Sequence, residues 1–279
     1  MRPTPFETEH FDQSGQRWTL EELPWGAIRR EAIADEEELF YLISTASFTK
    51  TATHFYARDL TRHFSAYSEI AGWLERDWKR LELQHAAALK RYIQTVWPEF
   101  DWDSAYEFFL KEFVATAQTR VLASNHSLEM AACCALEMAA ASYYSALRDL
   151  SREPLLRLLA WHISADAMCH YQNFYRYFNK CRRAERATRN QVLRAMWQRL
   201  RQLNGGDNAI AMKHVYGACH PGELFESHTH MQKRCRRLVG RHVPRHMGVR
   251  MVLMPLELGP RARTMASPVL GMVIQGLVA

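Results

Sequence analysis

Four residues on three separate segments of the chain constrain the fold most. Glu82 and His85 stand three residues apart, and Glu137 and His170 follow on two later segments with helical patterns. Because residues three apart lie on one face of a helix, Glu82 and His85 can point at a single centre. A carboxylate and an imidazole on one face suit iron, manganese or zinc. Glu82 and His85 are therefore candidate metal ligands on one helix face, and Glu137 and His170 are further candidates on two later helices.

Composition favours helix almost throughout the chain. Only 12 Gly and 10 Pro occur in 279 residues, of which 48% are hydrophobic and 24% charged, an ordinary globular balance. No apolar run reaches the roughly 18 residues of a membrane span, and residues 1–12 lack an apolar signal-peptide core. Six cysteines without C-x-x-C spacing are typical of reduced thiols. We therefore expect an all-α cytoplasmic protein.

Charges, prolines and capping residues divide the chain into three regions. Residues 1–34 read as an N-terminal arm, residues 35–180 as a helical bundle, and residues 181–279 as a basic helical C-terminal extension. Acidic residues favour a helix start after residue 34, and prolines and glycines mark helix ends. We predict helices over residues 35–64, 68–96, 103–121, 127–150, 154–180, 189–203, 208–217 and 223–240. A turn is expected at 204–207, and prolines 255, 260 and 268 are expected to break the last stretch.

The sequence resembles a known superfamily over residues 35–180. Residues 163–171, Ile-Ser-Ala-Asp-Ala-Met-Cys-His-Tyr, resemble the final-helix signature of bacterial ferritin-like proteins, in which an Asp-Glu pair precedes the His. Residues 48–50, 78–89 and 136–147 resemble the first three bundle helices. Lys213 to Gly222 is similar to the extension of an uncharacterised bacterial branch. The chain thus resembles the ferritin-like di-iron carboxylate superfamily.

That resemblance implies a fold, a cofactor and a ligand set. The fold is a ferritin-like four-helix bundle with a crossover helix, here residues 103–121. The cofactor is iron, held by Glu82, His85, Glu137 and His170. Asp166 takes the place of the carboxylate that orients a metal-bound His through its free ring nitrogen, and it should face His85.

Two of the six expected ligand positions are substituted. Lys50 stands where the first helix should offer a Glu, and Ala167 stands where a second Glu-x-x-His should begin. We expect the Lys50 ammonium to pair with Glu82 or Glu137 and to replace the first metal, since a cation near iron is unfavourable. A buried Lys with a lowered pKa can also act as a base or nucleophile.

The four remaining ligands can hold one iron ion, with manganese or zinc as alternatives, or no metal if the site has lost its metal-binding function. The candidate catalytic residues are Lys50, Asp166 and Tyr144, the last lying on the same helix face as Glu137. His54 is a possible substitute ligand or a surface residue. The aromatics of the fifth helix read as core or as the wall of a substrate tunnel; they are Tyr171, Phe174, Tyr175, Tyr177 and Phe178.

Two classes of function remain open from the sequence. One is a non-haem iron oxidoreductase that acts on a small organic substrate with O2, as the resemblance implies. The other is a degenerate, metal-free ferritin-like protein with a binding or scaffold role. The survival of Glu82, His85, Glu137, His170 and Asp166 favours the enzyme.

Charge is concentrated at the C-terminal end. Residues 181–279 hold 17 Lys and Arg against 5 Asp and Glu, a net +12, while the whole chain is +6. The apolar segment 268–279 is too short to span a bilayer and too apolar to be free in water. We expect it to pack on the bundle first, to cover a homodimer partner second, and to lie on a membrane surface third. Nucleic acid is not expected, because no binding module accompanies the charge.

Overall fold

The computed structural model describes residues 18–117, 122–123, 125–222 and 225–278. Within these residues the fold is all-helical and contains no strand, so the predicted all-α class is confirmed. The helices are α1 (Glu37–Thr51), α2 (Thr53–His63), α3 (Ser68–Trp73), α4 (Lys79–Val96), α5 (Trp102–Ala117), α6 (His126–Leu150), α7 (Pro154–Glu185), α8 (Arg189–Gln202), α9 (Asn208–Cys219), α10 (Phe225–His242), α11 (Arg245–Leu253) and α12 (Pro260–Val278). π-helical turns join α3 to α4 (Leu74–Trp78) and α8 to α9 (Leu203–Asp207).

Capping side chains place the starts of the long central helices. Asn125 accepts a hydrogen bond from the backbone N–H of Leu128 at the start of α6. Glu153 accepts from Leu155 N and Leu156 N at the start of α7, and Pro154 occupies the first helical position. Both arrangements satisfy N–H groups that have no partner inside the helix. The predicted starts are correct to within one residue, and α7 runs five residues beyond the predicted end.

Three predicted boundaries are wrong. The helix expected over 35–64 is interrupted at Ala52, where the hydroxyls of Thr49, Thr51 and Thr53 bond to carbonyls four residues earlier; such bonds bend helices. The turn expected at 204–207 lies within a π-helical turn. Pro268 lies inside α12 and does not end it. Local breakers are therefore overridden at 204–207 and at Pro268, whereas at Ala52 local side-chain bonds interrupt a helix expected to continue.

A helical bundle forms the centre of the molecule. α1 packs against α4, α6 packs along most of α7, and α4 also meets α7. One hydrophobic core runs through these helices. The six expected ligand positions, including the substituted ones at Lys50 and Ala167, lie on α1, α4, α6 and α7. The packing of these helices brings the six positions to the same interior region.

The C-terminal extension wraps around this bundle. α8 packs on α6, and α9 packs on α1 and α5. α12 packs on α10, α11 and α6 through one face, which includes the buried Ile274. Ile274 lies against Gly248 of α11, where a Cβ atom would come within 2.8 Å of the Ile274 side chain. Packing of the tail is thus confirmed for one face only, since Val269 and Met272 on the other face are 58% and 63% exposed. None of the described helices has the length and hydropathy needed to cross a membrane.

Candidate metal centre

Three acidic and imidazole side chains meet in the interior of the bundle. Glu82 comes from α4, Glu137 from α6 and His170 from α7, and each offers one ligand atom within 4.8 Å of the other two. His170 Nδ1 lies 3.6 Å from Glu82 Oε1 and 3.5 Å from Glu137 Oε2. All three residues are at most 4% exposed. The structure therefore contains a buried carboxylate and His group that can hold a metal ion.

The atoms that face one another in this group lack hydrogen-bond partners. Within the described part of the chain, Glu82 Oε1, Glu137 Oε2 and both ring nitrogens of His170 are buried without a partner, and so is His85 Nδ1. Buried polar atoms are almost always hydrogen-bonded, because leaving one unpaired costs about 1–3 kcal/mol. A cation among them would satisfy several of these lone pairs at once.

The second oxygen of each carboxylate is already engaged. Glu82 Oε2 accepts from Lys50 Nζ at 2.5 Å, so the predicted ion pair of Lys50 is confirmed. Glu137 Oε1 accepts from the indole Nε1 of Trp78 at 2.7 Å. Each carboxylate consequently presents a single unpartnered oxygen to the centre. This arrangement suits one metal ion better than a pair of ions that shares both oxygens.

His85 lies beside the group and is fixed from outside. Its Nε2 and Asp166 Oδ2 are 2.8 Å apart, and its Nδ1 is 3.4 Å from Glu82 Oε1. The expected pairing of Asp166 with His85 is thus present. With the proton held on Nε2 by the carboxylate, Nδ1 keeps its lone pair for a cation. Three of the four expected ligands, Glu82, Glu137 and His170, form the close group, and the fourth, His85, lies next to it.

Charge partners shift the protonation of these groups. Burial alone would raise the pKa of Glu82, but the Lys50 ammonium and the His85 imidazole lower it well below its usual range. Burial would lower the pKa of His85, yet the nearby carboxylates of Asp166 and Glu82 raise it. Burial likewise acts to raise the pKa of Asp166, and hydrogen bonds from His85 and Trp18 lower it. The side chains of Glu82 and Asp166 are therefore held in their charged forms.

Two tryptophans support the centre and were missed from the sequence. Trp18, in the region read as an arm, donates to Asp166 at 2.9 Å and stacks on the His85 ring with centroids 5.9 Å apart. Trp78 ends the π-helical turn before α4, and π-helical turns often mark functional sites. Nothing in the local sequence signals either contact, because both depend on how distant segments pack.

The remaining candidates take different places. Ala167 is buried one turn before His170. The Tyr144 ring lies 5.8 Å from Lys50 Nζ, and burial raises the pKa of its hydroxyl. His54 bonds to the backbone oxygen of Thr51 at 2.8 Å through its Nδ1, and it is not part of the described ligand group, so a substitute-ligand role has no support.

A cavity of about 250 Å³ borders the centre on one side. At its inner end it is lined by Lys50, Trp78, Glu82, Glu137 and Tyr144. From there it follows α1 and α6 towards α8, α9 and α10. The aromatics of α7 do not line it. Four of the five, Tyr171, Phe174, Tyr177 and Phe178, are buried in the core, which confirms the first of the two predictions made for them.

Comparison of the chain with models of protein families, with curated proteins and with solved structures finds no match. Function therefore has to be argued from the geometry of this centre and from the sequence resemblance.

Proposed function

We propose that this chain is a ferritin-like oxidoreductase that binds one metal ion, iron in the first place, and acts on a small organic substrate with O2. The observation that carries the proposal is the set of unpartnered buried atoms on Glu82, Glu137 and His170, with His85 Nδ1 next to them. Two carboxylates and two imidazoles form a donor set that suits iron, manganese or zinc. An iron ion held there supplies the redox chemistry through which O2 reacts with an organic molecule.

The arrangement of helices supports the ferritin-like assignment. The resemblance requires ligands from four helices with a crossover between the second and third. Here Lys50, Glu82 with His85, Glu137 and His170 lie on α1, α4, α6 and α7, and α5 separates α4 from α6. The order and spacing of elements agree with that topology.

The protein's own groups perform three tasks in this proposal. Lys50 neutralises one carboxylate charge and stands in for a second metal ion, so that the centre needs only one. Asp166 keeps the proton of His85 on the nitrogen that faces away from the centre. Trp78 fixes the orientation of Glu137 by its indole hydrogen bond. Together these contacts hold the donor atoms in place before a cation arrives, which limits reorganisation on binding.

A second candidate is the metal-free scaffold. It is favoured by the Lys50 to Glu82 ion pair, because this pair already removes part of the negative charge that would attract a metal. It does not account for Glu137 Oε2 and His170 Nδ1, which stay buried and unpartnered 3.5 Å apart.

Oxygen uptake after metal loading tests the proposal. The protein is loaded anaerobically with Fe(II), freed of unbound metal, and mixed with O2. We expect wild type to retain iron and consume O2, and His170→Ala to do neither. His162→Ala is the matched control, since His162 stacks on Trp18 near the centre but offers no atom to it. Wild type without retained iron would favour the scaffold, and equal uptake by His170→Ala would place the iron elsewhere.

A further inference from the structure

We infer that the cavity beside the metal centre, named here the inner cavity, binds an uncharged, mainly apolar molecule that approaches from the carboxylate side. This inference rests on the proposed function and names the substrate class of the same site. The inner cavity touches Glu82 and Glu137 but neither His85 nor His170. The imidazoles therefore lie on the closed side of the centre, and a substrate meets the carboxylate side, where Lys50 stands.

The length of the inner cavity follows from its walls on α1 and α6. On α1 the lining positions run from Lys50 back to Leu42, two helical turns or about 12 Å at 1.5 Å per residue. On α6 they run from Leu136 to Tyr144. The Tyr143 hydroxyl donates to Leu42 O at 3.0 Å, which links the two walls directly. The inner cavity is thus a slot between α1 and α6, which face each other across it.

The chemistry of the walls selects the ligand. The slot is lined mainly by small and apolar side chains, among them Ala46, Ala139, Ala140, Leu136 and Met212. The charged side chains of its lining other than those at the metal centre belong to the C-terminal extension; they are Arg199, Asp207 and Arg236. A dry cavity of about 150 Å³ lined by apolar groups holds benzene, so about 250 Å³ has room for a bicyclic or substituted ring. Lys50 is already paired with Glu82 at the inner end. A compact uncharged molecule fits this slot better than an ionic one.

The C-terminal extension supplies the outer wall. Met212 of α9 contacts Thr45 of α1, with Sδ and Oγ1 3.9 Å apart, and Gln202 at the end of α8 lines the slot while exposed to solvent. The slot therefore opens to the surface between α8, α9 and α10. The extension sets the size of the ligand, whereas the bundle holds the metal.

Binding of indole by metal-free protein tests this inference separately from metal binding. Calorimetry in the presence of a chelator should give saturable binding of one indole per chain. Ala140→Leu and Ala46→Leu fill the slot from opposite walls, and each should weaken binding at least tenfold while leaving the Fe(II) stoichiometry unchanged. Ala115→Leu, at an exposed position of α5, is the control for the substitution itself. Circular dichroism and thermal melting identify a variant that fails to fold, in which case the other filling variant decides.

Met212→Ala provides the opposite change. This substitution enlarges the outer end of the inner cavity. The affinity of the variant for 2-naphthol, which is larger than indole, should therefore rise relative to its affinity for indole. Indole binding without iron retention would support the slot and contradict the proposed function. Iron retention without indole binding, or indole binding that neither filling variant weakens, would overturn the slot and leave the metal centre standing.

Discussion

Two buried glutamates on the same helix have very different surroundings. Glu129 and Glu137 lie eight residues apart on α6 and are 0% and 4% exposed. Glu129 Oε1 accepts from Tyr56 at 2.8 Å and from Arg199 at 2.7 Å, and its Oε2 accepts from the backbone N–H of Ala123 at 2.8 Å. Glu137 has a partner only on Oε1, where Trp78 donates.

The difference shows what each carboxylate is for. Glu129 carries a full set of donors and an arginine counter-charge, so it holds α6, α2 and α8 together and needs no ligand. Glu137 keeps one oxygen unpartnered, directed at atoms of Glu82 and His170 that are equally unpartnered. The buried carboxylate of Glu129 thus has hydrogen-bond partners for both oxygens, whereas that of Glu137 has a partner for one oxygen only. A buried oxygen without a hydrogen-bond partner favours a binding site.

The largest expected effect comes from breaking the complete cluster. Arg199→Met leaves Glu129 buried without its counter-charge, and we expect the free energy of unfolding to fall by about 3–5 kcal/mol. Glu137→Gln should stay within about 1 kcal/mol of wild type in metal-free protein, because Gln keeps the acceptor for Trp78 and gains a donor for its neighbours. Urea unfolding with a chelator measures both. Equal losses in the two variants would erase the distinction between the clusters.

Restoring the missing carboxylates should change the metal count. Lys50→Glu combined with Ala167→Glu supplies the two ligands that the resemblance requires, and the double variant should bind about two Fe(II) per chain. Without metal it should be less stable than wild type, since it buries two more carboxylates and loses a cation. Metal analysis after anaerobic loading gives the count, with Ala167→Gln as the uncharged control. A double variant that gains no iron would show that Lys50 and Ala167 do not mark the second metal position.

A smaller effect is expected from the group that orients His85. Asp166→Asn should weaken metal binding about 10–100-fold with little change in folding, because the amide no longer fixes the proton on His85 Nε2. Trp18 still covers the ring in this variant. Competition with a chromophoric chelator measures the affinity. An unchanged affinity would mean that His85 takes no part in holding the metal.

The smallest effect concerns a second complete carboxylate, Glu185 at the end of α7. It accepts from His126 N at 3.1 Å and from Ser127 N at 2.7 Å. Burial acts to raise the pKa of Glu185, but these backbone donors lower it overall. The stabilisation is therefore full above the unfolded pKa of about 4.3 and is lost as pH falls through the lower folded pKa. Glu185→Gln should cost about 1 kcal/mol at pH 7, and its unfolding free energy should converge with that of wild type in acid. A constant gap between pH 7 and pH 3 would contradict this origin.

Much of the centre could be predicted because its signals are local. The three-residue spacing of Glu82 and His85 fixes a helix face whatever surrounds it. The caps at Asn125 and Glu153 likewise act within one turn, so the starts of α6 and α7 were correct.

What sequence reasoning missed depends on contacts between distant segments. Trp18 reaches Asp166 across 148 residues, and Trp78 reaches Glu137 across 59. No periodicity encodes such pairs. Local sequence patterns do not predict the course of the cavity along α1 and α6 either, because this course results from how the C-terminal extension packs on the bundle. Local rules predict a break at Pro268, because proline is disfavoured inside a helix, yet α12 continues through it.

The central claim is that Glu82, Glu137 and His170 form a site for one metal ion. Equilibrium titration of the metal-free protein with Fe(II) under anaerobic conditions tests it most directly, with metal counted per chain after unbound ion is removed. We predict one ion per chain for wild type and for His162→Ala, and none for Glu137→Gln or His170→Ala. Two ions in wild type, no ion, or one ion that survives the loss of His170 would contradict the account.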